Sequence, residues 1–212
     1  MDISVIIPAY NEEKYIEKTL KSVDYENAEV IVVCNGCTDR TENILRRHHK
    51  VKYFSIPQCG VSAARNFGAE MAKGRKLVFL DADIRLGKGL LKKIAAAKCD
   101  IGTCLVKSDR KKFLPRFLMF FKNFAHYFGA CTGLIFCTNK MFNAVGGFDT
   151  NLNIGEDGKF LRQGRRLGKS CVVRGFVYNN MRRFEKVGYG KLCWFWIKHL
   201  CNPREKDYEA VR

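Results

Sequence analysis

Acidic residues, prolines and long apolar runs are all scarce in this chain of 212 residues. Its 4 prolines and 18 glycines, spread without a period, exclude collagen-like and low-complexity chains. The absence of any run of about eighteen apolar residues argues against a conventional transmembrane helix. Only 21 Asp and Glu stand against 38 Lys and Arg, so the formal net charge is +17. An anionic partner is therefore expected: a nucleic acid, a membrane surface or a phosphorylated substrate.

Core-forming residues, in contrast, are abundant. Hydrophobic residues make up 47% of the chain and aromatic residues 12%, which excludes disorder as the main description and provides for a real core. The length suits one domain of ordinary size, and no repeat or Pro-rich linker divides it. We therefore predict a single domain over residues 1–212.

The positive charge is concentrated in the second half of the chain. Residues 1–106 hold 17 basic and 13 acidic residues, a net charge of +4, whereas residues 107–212 hold 21 and 8, a net charge of +13. The first half therefore has the charge of an ordinary soluble fold, and the second half is expected to meet something anionic.

The 10 cysteines do not have the positions of a disulfide scaffold. Those that lie in or beside apolar runs, where a free cysteine behaves as a small hydrophobe, are Cys34, Cys99, Cys104, Cys137 and Cys171. The first two residues lead directly into an apolar segment, without the basic start of a secretory signal. We therefore expect free thiols in a reducing, cytoplasmic compartment.

Strand-like and helical periods alternate along the first hundred residues. Strands are predicted at 3–7, 28–34, 51–56 and 76–80, and helices between them at 12–23, 39–48 and 61–73. The less regular second half predicts helices at 87–98, 111–128, 139–145, 156–167 and 187–200, with strands at 100–107, 131–138 and 170–173. Alternating strands and helices indicate an α/β fold with a mostly parallel sheet, and continuously apolar strands indicate helices on both faces.

Polar segments follow three of these strands, at 8–13, 35–39 and 81–83. In an open parallel sheet, ligands bind beyond the carboxyl ends of the strands, so the three segments are expected to line one site. Asp81 and Asp83, one residue apart, can share a hard cation such as Mg²⁺ or Mn²⁺, which takes one or two carboxylates and fills its shell with phosphate and water. The alternative is a turn or cap cluster before the next helix.

Three further positions have both a structural and a functional interpretation. Asp39 can cap a helix or accept hydrogen bonds from a nucleoside. Arg65 lies among small apolar residues and can point into the crevice rather than into solvent. Glu156 and Asp157 open a helix, where the helix dipole favours acidic residues, but a carboxylate there can also be a general base that takes a proton from an acceptor hydroxyl.

Taken in order, these segments resemble the family 2 glycosyltransferases with the GT-A fold. The matching stretches, over about residues 3–170, are Ile6–Glu13, Val32–Thr41, Gly60–Gly68, Phe79–Asp83, Gly146–Asp149 and Glu156–Asp157. The resemblance implies a GT-A-like three-layer α/β/α sandwich around a mostly parallel, Rossmann-like central sheet. It also implies a UDP- or GDP-sugar donor, a divalent cation (Mg²⁺ or Mn²⁺) and inversion at the anomeric carbon.

The resemblance also implies roles for individual residues. The donor would bind in residues 1–106, and the acceptor in residues 107–212. The implied donor-binding positions are Pro8, Ala9, Tyr10, Glu12, Asn35, Asp39, Arg65, Asp81, Ala82 and Asp83. Among them, Asp39 and Arg65 would contact the base, Asp81 the ribose or metal, and Asp83 the metal. The implied catalytic base is Asp157, with Glu156 beside it.

The chain departs from the family pattern in two places. An acidic residue usually stands at the position of Asn35. The segment Gln163–Leu167 lies too close to Asp157, and lacks the Trp, to be the motif of processive members, which indicates a non-processive enzyme. A polyprenyl-phosphate mannosyl transferase of the same family is the alternative. Because its phosphate acceptor is already ionised, the Glu156–Asp157 pair favours a hydroxyl acceptor instead.

Residues 111–128 and 191–201 combine basic with aromatic residues. This composition is typical of interfacial helices, although the same aromatics can belong to a core. We expect contact with an anionic membrane surface, a glycan or lipid-linked acceptor, and a peripheral location on the cytoplasmic membrane face. A non-catalytic nucleic-acid-binding protein is a remote alternative, since no such motif is readable and the acidic cluster would repel phosphate without a metal. A non-catalytic sugar-binding relative is disfavoured because all the principal carboxylates are present.

Overall fold

The computed structural model describes residues 2–57, 60–125, 133–152, 154–188 and 190. The first part of the chain forms β1 (Ile3–Ala9), α1 (Ile16–Leu20), β2 (Ala28–Asn35), α2 (Thr41–Leu45), β3 (Val51–Ile56), α3 (Val61–Glu70) and β4 (Lys76–Leu80). It continues through β5 (Arg85–Leu86), α4 (Leu90–Ala96), β6 (Ile101–Ser108), α5 (Phe113–Ala125), β7 (Leu134–Thr138), α6 (Asn139–Val145), α7 (Glu156–Leu167), β8 (Ser170–Asn179) and α8 (Arg182–Val187).

The described strands form one mixed sheet in the order β3-β2-β1-β4-β7-β6-β8-β5. The pairs β2–β3, β1–β2, β1–β4 and β6–β8 are parallel, whereas β4–β7, β6–β7 and β5–β8 are antiparallel. The predicted parallel block is therefore present, and the antiparallel pairs arise where the second half of the chain joins it. The predicted α/β class is confirmed.

Helices cover both faces of the sheet, as the apolar strands require. On one face, Ile3, Val5 and Ile7 of β1 join a core that includes residues of α1, α2 and α4. On the other face, Ile6 packs in a second core with residues of α3, α6 and α7, among them Phe160. The strand's residues point alternately to the two faces, so burying both of them buries the whole strand.

Several predicted boundaries differ from those in the structure. The first helix begins at Ile16 instead of residue 12, because residues 12–15 form the turn that leads into it. The last predicted strand, 170–173, extends to Asn179 because β8 has partners on both sides, β6 and β5. Helix α8 was not predicted, and most of the predicted helix at 187–200 lies outside the described residues.

The expectation that all cysteines are free is wrong for one pair. Cys99 and Cys171 form a disulfide, with their Cα atoms 6.0 Å apart. The reason is the pairing of β6 with β8, which sets Gly102 opposite Cys171 and brings Cys99, just before β6, alongside. Cys34, Cys37, Cys104 and Cys137 are free.

Candidate active site

The loops after β1 and β2 are joined by hydrogen bonds at the carboxyl edge of the sheet. The Glu12 amide donates to the Thr41 hydroxyl (2.8 Å), and the Glu13 amide donates to Asp39 Oδ2 (3.0 Å). The two strands pair to their ends, with Ala9 opposite Cys34. The predicted segments 8–13 and 35–39 therefore lie side by side, with Pro8 and Ala9 inside β1 and Tyr10 directly after it.

Asp39 is held within this loop pair by both carboxylate oxygens. Oδ2 accepts from the Glu13 amide, and Oδ1 accepts from the Thr41 amide at 2.9 Å, at the start of α2. Burial by itself would raise the pKa of Asp39, but the hydrogen bonds from Thr41 and Glu13 outweigh it and lower the pKa. The N-cap residue of α2 is Arg40, whose side chain makes no capping hydrogen bond, so Asp39 is not the N-cap that the sequence suggested. Asp39 lies one residue earlier and accepts from the Thr41 amide at the rim where a base contact was expected.

Asn35, at the end of β2, is buried and bridges two segments of the site. With its amide oriented to satisfy its neighbours, the side chain donates to the Ala9 carbonyl (2.6 Å) and accepts from the Gly60 amide (3.2 Å). An amide can donate and accept in this way, whereas an ionised carboxylate can only accept. The departure from the family's acidic residue therefore suits the backbone carbonyl that Asn35 meets.

Arg65 connects the end of β4 to the start of α7. Its Nη2 donates to Asp81 Oδ1 and its Nη1 to Glu156 Oε1, both at 2.9 Å. Its guanidinium carbon also lies 5.1 Å from the centre of the Phe148 ring. Burial alone would lower the pKa of Arg65, but the Asp81 and Glu156 carboxylates raise it, so the guanidinium stays charged. Of the two directions that the sequence left open for Arg65, the structure has the inward one, and the side chain binds two carboxylates.

Gly133 holds Asp81 in place through a backbone hydrogen bond and through a close approach to its side chain. Its amide donates to the Gly133 carbonyl at 3.0 Å. A Cβ on Gly133 would lie 2.7 Å from Asp81 Oδ2 and 2.1 Å from Ile84 Cδ1, and Gly133 has a φ of +79°. Only glycine fits this close approach without strain, so Gly133 sets the space around Asp81. The neighbouring Ala82 is buried, and its carbonyl accepts from the Thr19 hydroxyl at 2.7 Å.

Asp83 and Glu12 share a second arginine, Arg182 at the start of α8. Arg182 Nη2 donates to Glu12 Oε1 at 2.6 Å, and Nε lies 3.1 Å from Asp83 Oδ2. Burial raises the pKa of Asp83 to about 7, against the attraction of Arg182. Burial also raises the pKa of Glu12 despite the same arginine. These carboxylates lie in surroundings that disfavour their negative charge, so an added cation is favourable there.

The carboxylates suit a Mg²⁺ or Mn²⁺ ion whose remaining ligands are phosphate oxygens of a bound nucleotide and water. Among the described residues there is no cluster of three or more acidic, His or Cys side chains that could hold a metal by itself. Hard divalent cations in nucleotide sites need only one or two carboxylates, with phosphate oxygens and water as the other ligands. Asp81 and Asp83 provide that set, and the buried Glu12 Oε2 has no hydrogen-bond partner in the described part of the chain. The residues present therefore fit such an ion.

Glu156 and Asp157 begin α7 but have different surroundings. Glu156 is buried and bound to Arg65, and burial raises its pKa, with the Asp157 charge adding to the effect. Asp157 is partly exposed, and its Oδ1 accepts from the Gly158 amide at 2.6 Å. Since Glu156 is committed to an ion pair, Asp157 is the carboxylate of the two that is accessible to an acceptor.

A cavity of about 260 Å³ opens beside Asp39 and Arg182. It is lined by Asn11, Glu13, Lys14, Tyr15, Asp39, Arg182 and Lys186. The cavity therefore borders the loops after β1 and β2 on one side and α8 on the other, next to the ion pair of Asp83 with Arg182.

A comparison with models of protein families identifies the family of this chain. The model described as "Glycosyl transferase family 2" matches residues 4–141, which is more than half of the chain. The chain belongs to glycosyl transferase family 2. This match confirms the family that the sequence motifs resemble. It also confirms the predicted enzyme class, glycosyltransferase.

Relatives of this family 2 chain include bacterial glycosyltransferases. It is 36% identical over 110 residues to "Glycosyltransferase GlyA" of Streptococcus pneumoniae, covering 47% of this chain and 16% of the relative. It is 36% identical over 99 residues to "Putative teichuronic acid biosynthesis glycosyltransferase TuaG" of Bacillus subtilis, covering 43% of this chain and 39% of the relative. The chain thus spans less than half the length of these relatives.

Solved structures confirm the GT-A-type fold of this family 2 chain. The S. aureus TarS 1–349 structure aligns with a TM-score of 0.71 at 22% identity, covering 85% of this chain and 60% of that one. A mannosyltransferase from Pyrobaculum calidifontis, in complex with GDP-Man and Mn²⁺, aligns with a TM-score of 0.72 at 19% identity, covering 99% of this chain and 65% of that one.

Sequence reasoning missed two residues of the site, Arg182 and Gly133. Arg182 belongs to the basic second half, and that excess of charge was its only signal. From the sequence, the positive charge of the second half predicts contact with an anionic surface, whereas this one cation contacts the side chains of Glu12 and Asp83. Gly133 lies in a segment predicted to be strand, where its positive φ could not be foreseen.

Proposed function

We propose that the protein transfers a sugar from a UDP- or GDP-sugar to a hydroxyl of a glycan or lipid-linked acceptor, with inversion, without processivity and with Mg²⁺ or Mn²⁺. The observation that carries this proposal is that one buried arginine joins Asp81 to the start of α7, where Asp157 lies. Arg65 binds both Asp81 and Glu156, the direct neighbour of Asp157, at 2.9 Å. This buried arginine ties the candidate metal carboxylate to the neighbour of the candidate base, and the charge of Asp157 also acts on Arg65, which supports a common site.

The donor half of the proposal has support from related structures. TarS has been solved with UDP-GlcNAc, and the Pyrobaculum enzyme with GDP-Man and Mn²⁺. In this chain, the loops after β1 and β2 and the carboxylates after β4 lie at the sheet edge where nucleotides bind in such folds. Asp81 and Asp83 would hold the cation, which when bound neutralises charge on the departing diphosphate.

The protein's own part in the reaction is to position groups and to move one proton. Asp157 would accept the proton of the acceptor hydroxyl as the hydroxyl oxygen attacks the anomeric carbon and the bond from that carbon to the nucleoside diphosphate breaks. The buried pair of Arg65 and Glu156 would keep the start of α7, and therefore Asp157, at a fixed distance from Asp81. Such fixed placement is a large part of what a catalyst contributes to a two-substrate reaction.

A thermal-shift screen of nucleotide-sugars with and without Mn²⁺ tests the donor assignment. A ligand that binds only the folded state stabilises it by RT ln(1 + [L]/Kd), so a donor present at about 100 times its Kd adds about 2.7 kcal/mol. We expect a UDP- or GDP-sugar to raise the melting temperature by several degrees, and to do so only with the metal. If no nucleotide-sugar shifts the melting temperature with Mn²⁺ present, the proposed donor is wrong.

Helix α5 supports a membrane-bound or lipid-linked acceptor. Its inner side is fixed to the fold, since Met119 is buried and Asn123 exchanges two hydrogen bonds with the Val106 backbone (2.7 and 2.9 Å). Its outer side carries Phe113, Phe120 and Phe124, which are 80%, 70% and 63% exposed. Among the described residues there is no helix long and apolar enough to span a bilayer.

We propose that this outer face of α5 lies on an anionic membrane surface. Exposed Lys111, Lys112 and Arg116 accompany the aromatic rings, and phenylalanine beside basic residues is the composition of a helix that lies among lipid headgroups. The rings also form a continuous strip, with Phe117 centred 5.7 Å from Phe113 and 4.8 Å from Phe121. Residues 126–128 and the second predicted segment, 191–201, lie outside the described residues.

Replacing Phe120 and Phe124 together by Ser is expected to reduce binding to anionic vesicles at least about tenfold. Each buried aromatic ring contributes roughly 1.5–3 kcal/mol, and about 1.4 kcal/mol is a tenfold change. The measurement is flotation with phosphatidylglycerol vesicles at low and high salt. Leu167→Ser is the matched control, since Leu167 is 58% exposed on α7. Equal binding by the wild type and the double variant would contradict the assignment.

A further inference from the structure

Arg182 lies between two loops that carry acidic residues of the site. Its Nη2 donates to Glu12 after β1, its Nε faces Asp83 after β4, and its guanidinium carbon lies 4.3 Å from the centre of the Tyr15 ring. These contacts place one cation against the carboxylate that the proposed function assigns to the metal. They come from a helix that the sequence did not predict.

A divalent cation and the guanidinium of Arg182 would compete for Asp83. Nε lies 3.1 Å from Asp83 Oδ2, within hydrogen-bonding range of an oxygen that a metal would also use. Two positive charges at one carboxylate repel each other, the more so where burial weakens screening by water. A cation that binds at Asp83 is therefore expected to weaken the contact of this carboxylate with Arg182.

The cavity beside Arg182 has room for the displaced side chain and for an anion that this side chain could bind. Arg182 is about one-fifth exposed and lines this cavity together with Lys14 and Lys186. The cavity is also lined by Glu13 and Asp39, but Glu13 pairs with Arg40 and Asp39 accepts hydrogen bonds from two backbone amides. The three basic side chains therefore leave this space with an excess of positive charge, which suits an anion. A planar guanidinium, with its fork of N–H donors, also matches the oxygens of a phosphate.

We propose that Arg182 is a counter-ion switch for the donor site. In the donor-free protein it neutralises Asp83 and Glu12, and when a cation binds it moves from Asp83 to the diphosphate of the nucleotide. This inference rests on the proposed function, because it needs a nucleoside diphosphate and a metal at this edge of the sheet. Arg182 is thus a binding residue that couples the binding of the cation to the binding of the nucleotide.

The variant Arg182→Ala tests the proposal through two affinities that should change in opposite directions. Removal of the competing cation should increase the affinity for Mn²⁺ alone about tenfold, measured by electron paramagnetic resonance of the free ion. Removal of the diphosphate partner should decrease the affinity for UDP or GDP at saturating Mn²⁺ at least about tenfold, measured by calorimetry. A residue that only supports the fold would lower both affinities.

Two further variants keep the test decisive. Arg182→Lys retains a charge but not the fork or the stacking on Tyr15, so both shifts should keep their signs at smaller size, and it replaces the alanine variant if that variant does not fold. Arg110→Ala is the matched control, because it removes an ion pair to Glu185 on the same helix and should change neither affinity. Parallel losses of Mn²⁺ and nucleotide, or an unchanged nucleotide affinity, overturn the switch. Failure of the wild type to bind either nucleotide contradicts the proposed function itself.

Discussion

Asp83→Ala is expected to abolish Mn²⁺-dependent sugar transfer while leaving the protein folded. Cation stabilisation of a leaving diphosphate is worth several kcal/mol, so kcat/KM should fall by about a thousandfold or more. The fold should tolerate the change, because burial raises the pKa of Asp83 to about 7 and its charge is therefore unfavourable where it lies. Arg182 also keeps its second partner, Glu12.

The measurement combines initial rates at several Mn²⁺ concentrations with circular dichroism and a Mn²⁺ titration. Asp2→Ala is a suitable control, since Asp2 also forms an ion pair with an arginine, Arg75, but on the exposed surface. The control should keep the wild-type rate. Full transfer activity of Asp83→Ala, with unchanged Mn²⁺ affinity, would remove Asp83 from the metal site.

Asp157→Asn is expected to stop transfer and to leave donor binding near its normal strength. The amide keeps the shape and can still accept the hydrogen bond that Gly158 donates to Oδ1, but it cannot take a proton from the acceptor. Loss of a general base costs about 10²–10⁴ in rate. Donor affinity by calorimetry and kcat by product formation separate binding from chemistry.

Glu156→Gln, at the neighbouring residue, is expected to lower stability, in contrast to Asp157→Asn. Glu156 is buried and bound to Arg65, so loss of its charge leaves that guanidinium with Asp81 as its remaining ion-pair partner in the described part of the chain. Breaking a buried pair typically costs about 3–5 kcal/mol when one partner is removed, and less when an amide replaces it. We therefore expect a lower melting temperature for Glu156→Gln and an unchanged one for Asp157→Asn. If Asp157→Asn loses donor affinity as strongly as transfer, Asp157 supports the site instead of acting as its base.

The sequence predicted the parallel block because each of its strands carries its own signal. β1, β2 and β4 are continuous apolar runs, and polar residues follow each of them. Strand β5 has only two residues, Arg85 and Leu86, which is too short for any period. The end of β8 was missed because the register between β6 and β8 shifts at Cys104 and Leu105, so no simple alternation continues along the strand.

Those residues of the candidate site that carry a local sequence signal were also predictable. Asp81, Asp83 and Asp157 are marked by position at strand ends and at a helix start, which are local features. The contact of Arg182 with Glu12 joins residues 170 positions apart, and nothing local distinguishes Arg182 from the other cations around it. The inward direction of Arg65 was suggested by its small neighbours, but its two carboxylate partners come from β4 and α7 and required the fold.

The position of β7 in the sheet has a consequence for how the molecule is made. β7 lies between β4 and β6, although both of those strands precede it in the chain. During synthesis, the edge of β4 therefore stays without its final neighbour until residues 134–138 have emerged. An apolar strand with a free edge is a template for unwanted pairing, and α5 with its exposed rings emerges during the same interval. We therefore expect the nascent chain to be prone to aggregation after β4 has emerged and before β7 has. The addition of β7 covers the edge of β4 and one edge of β6, and the other edge of β6 stays free until β8 has emerged.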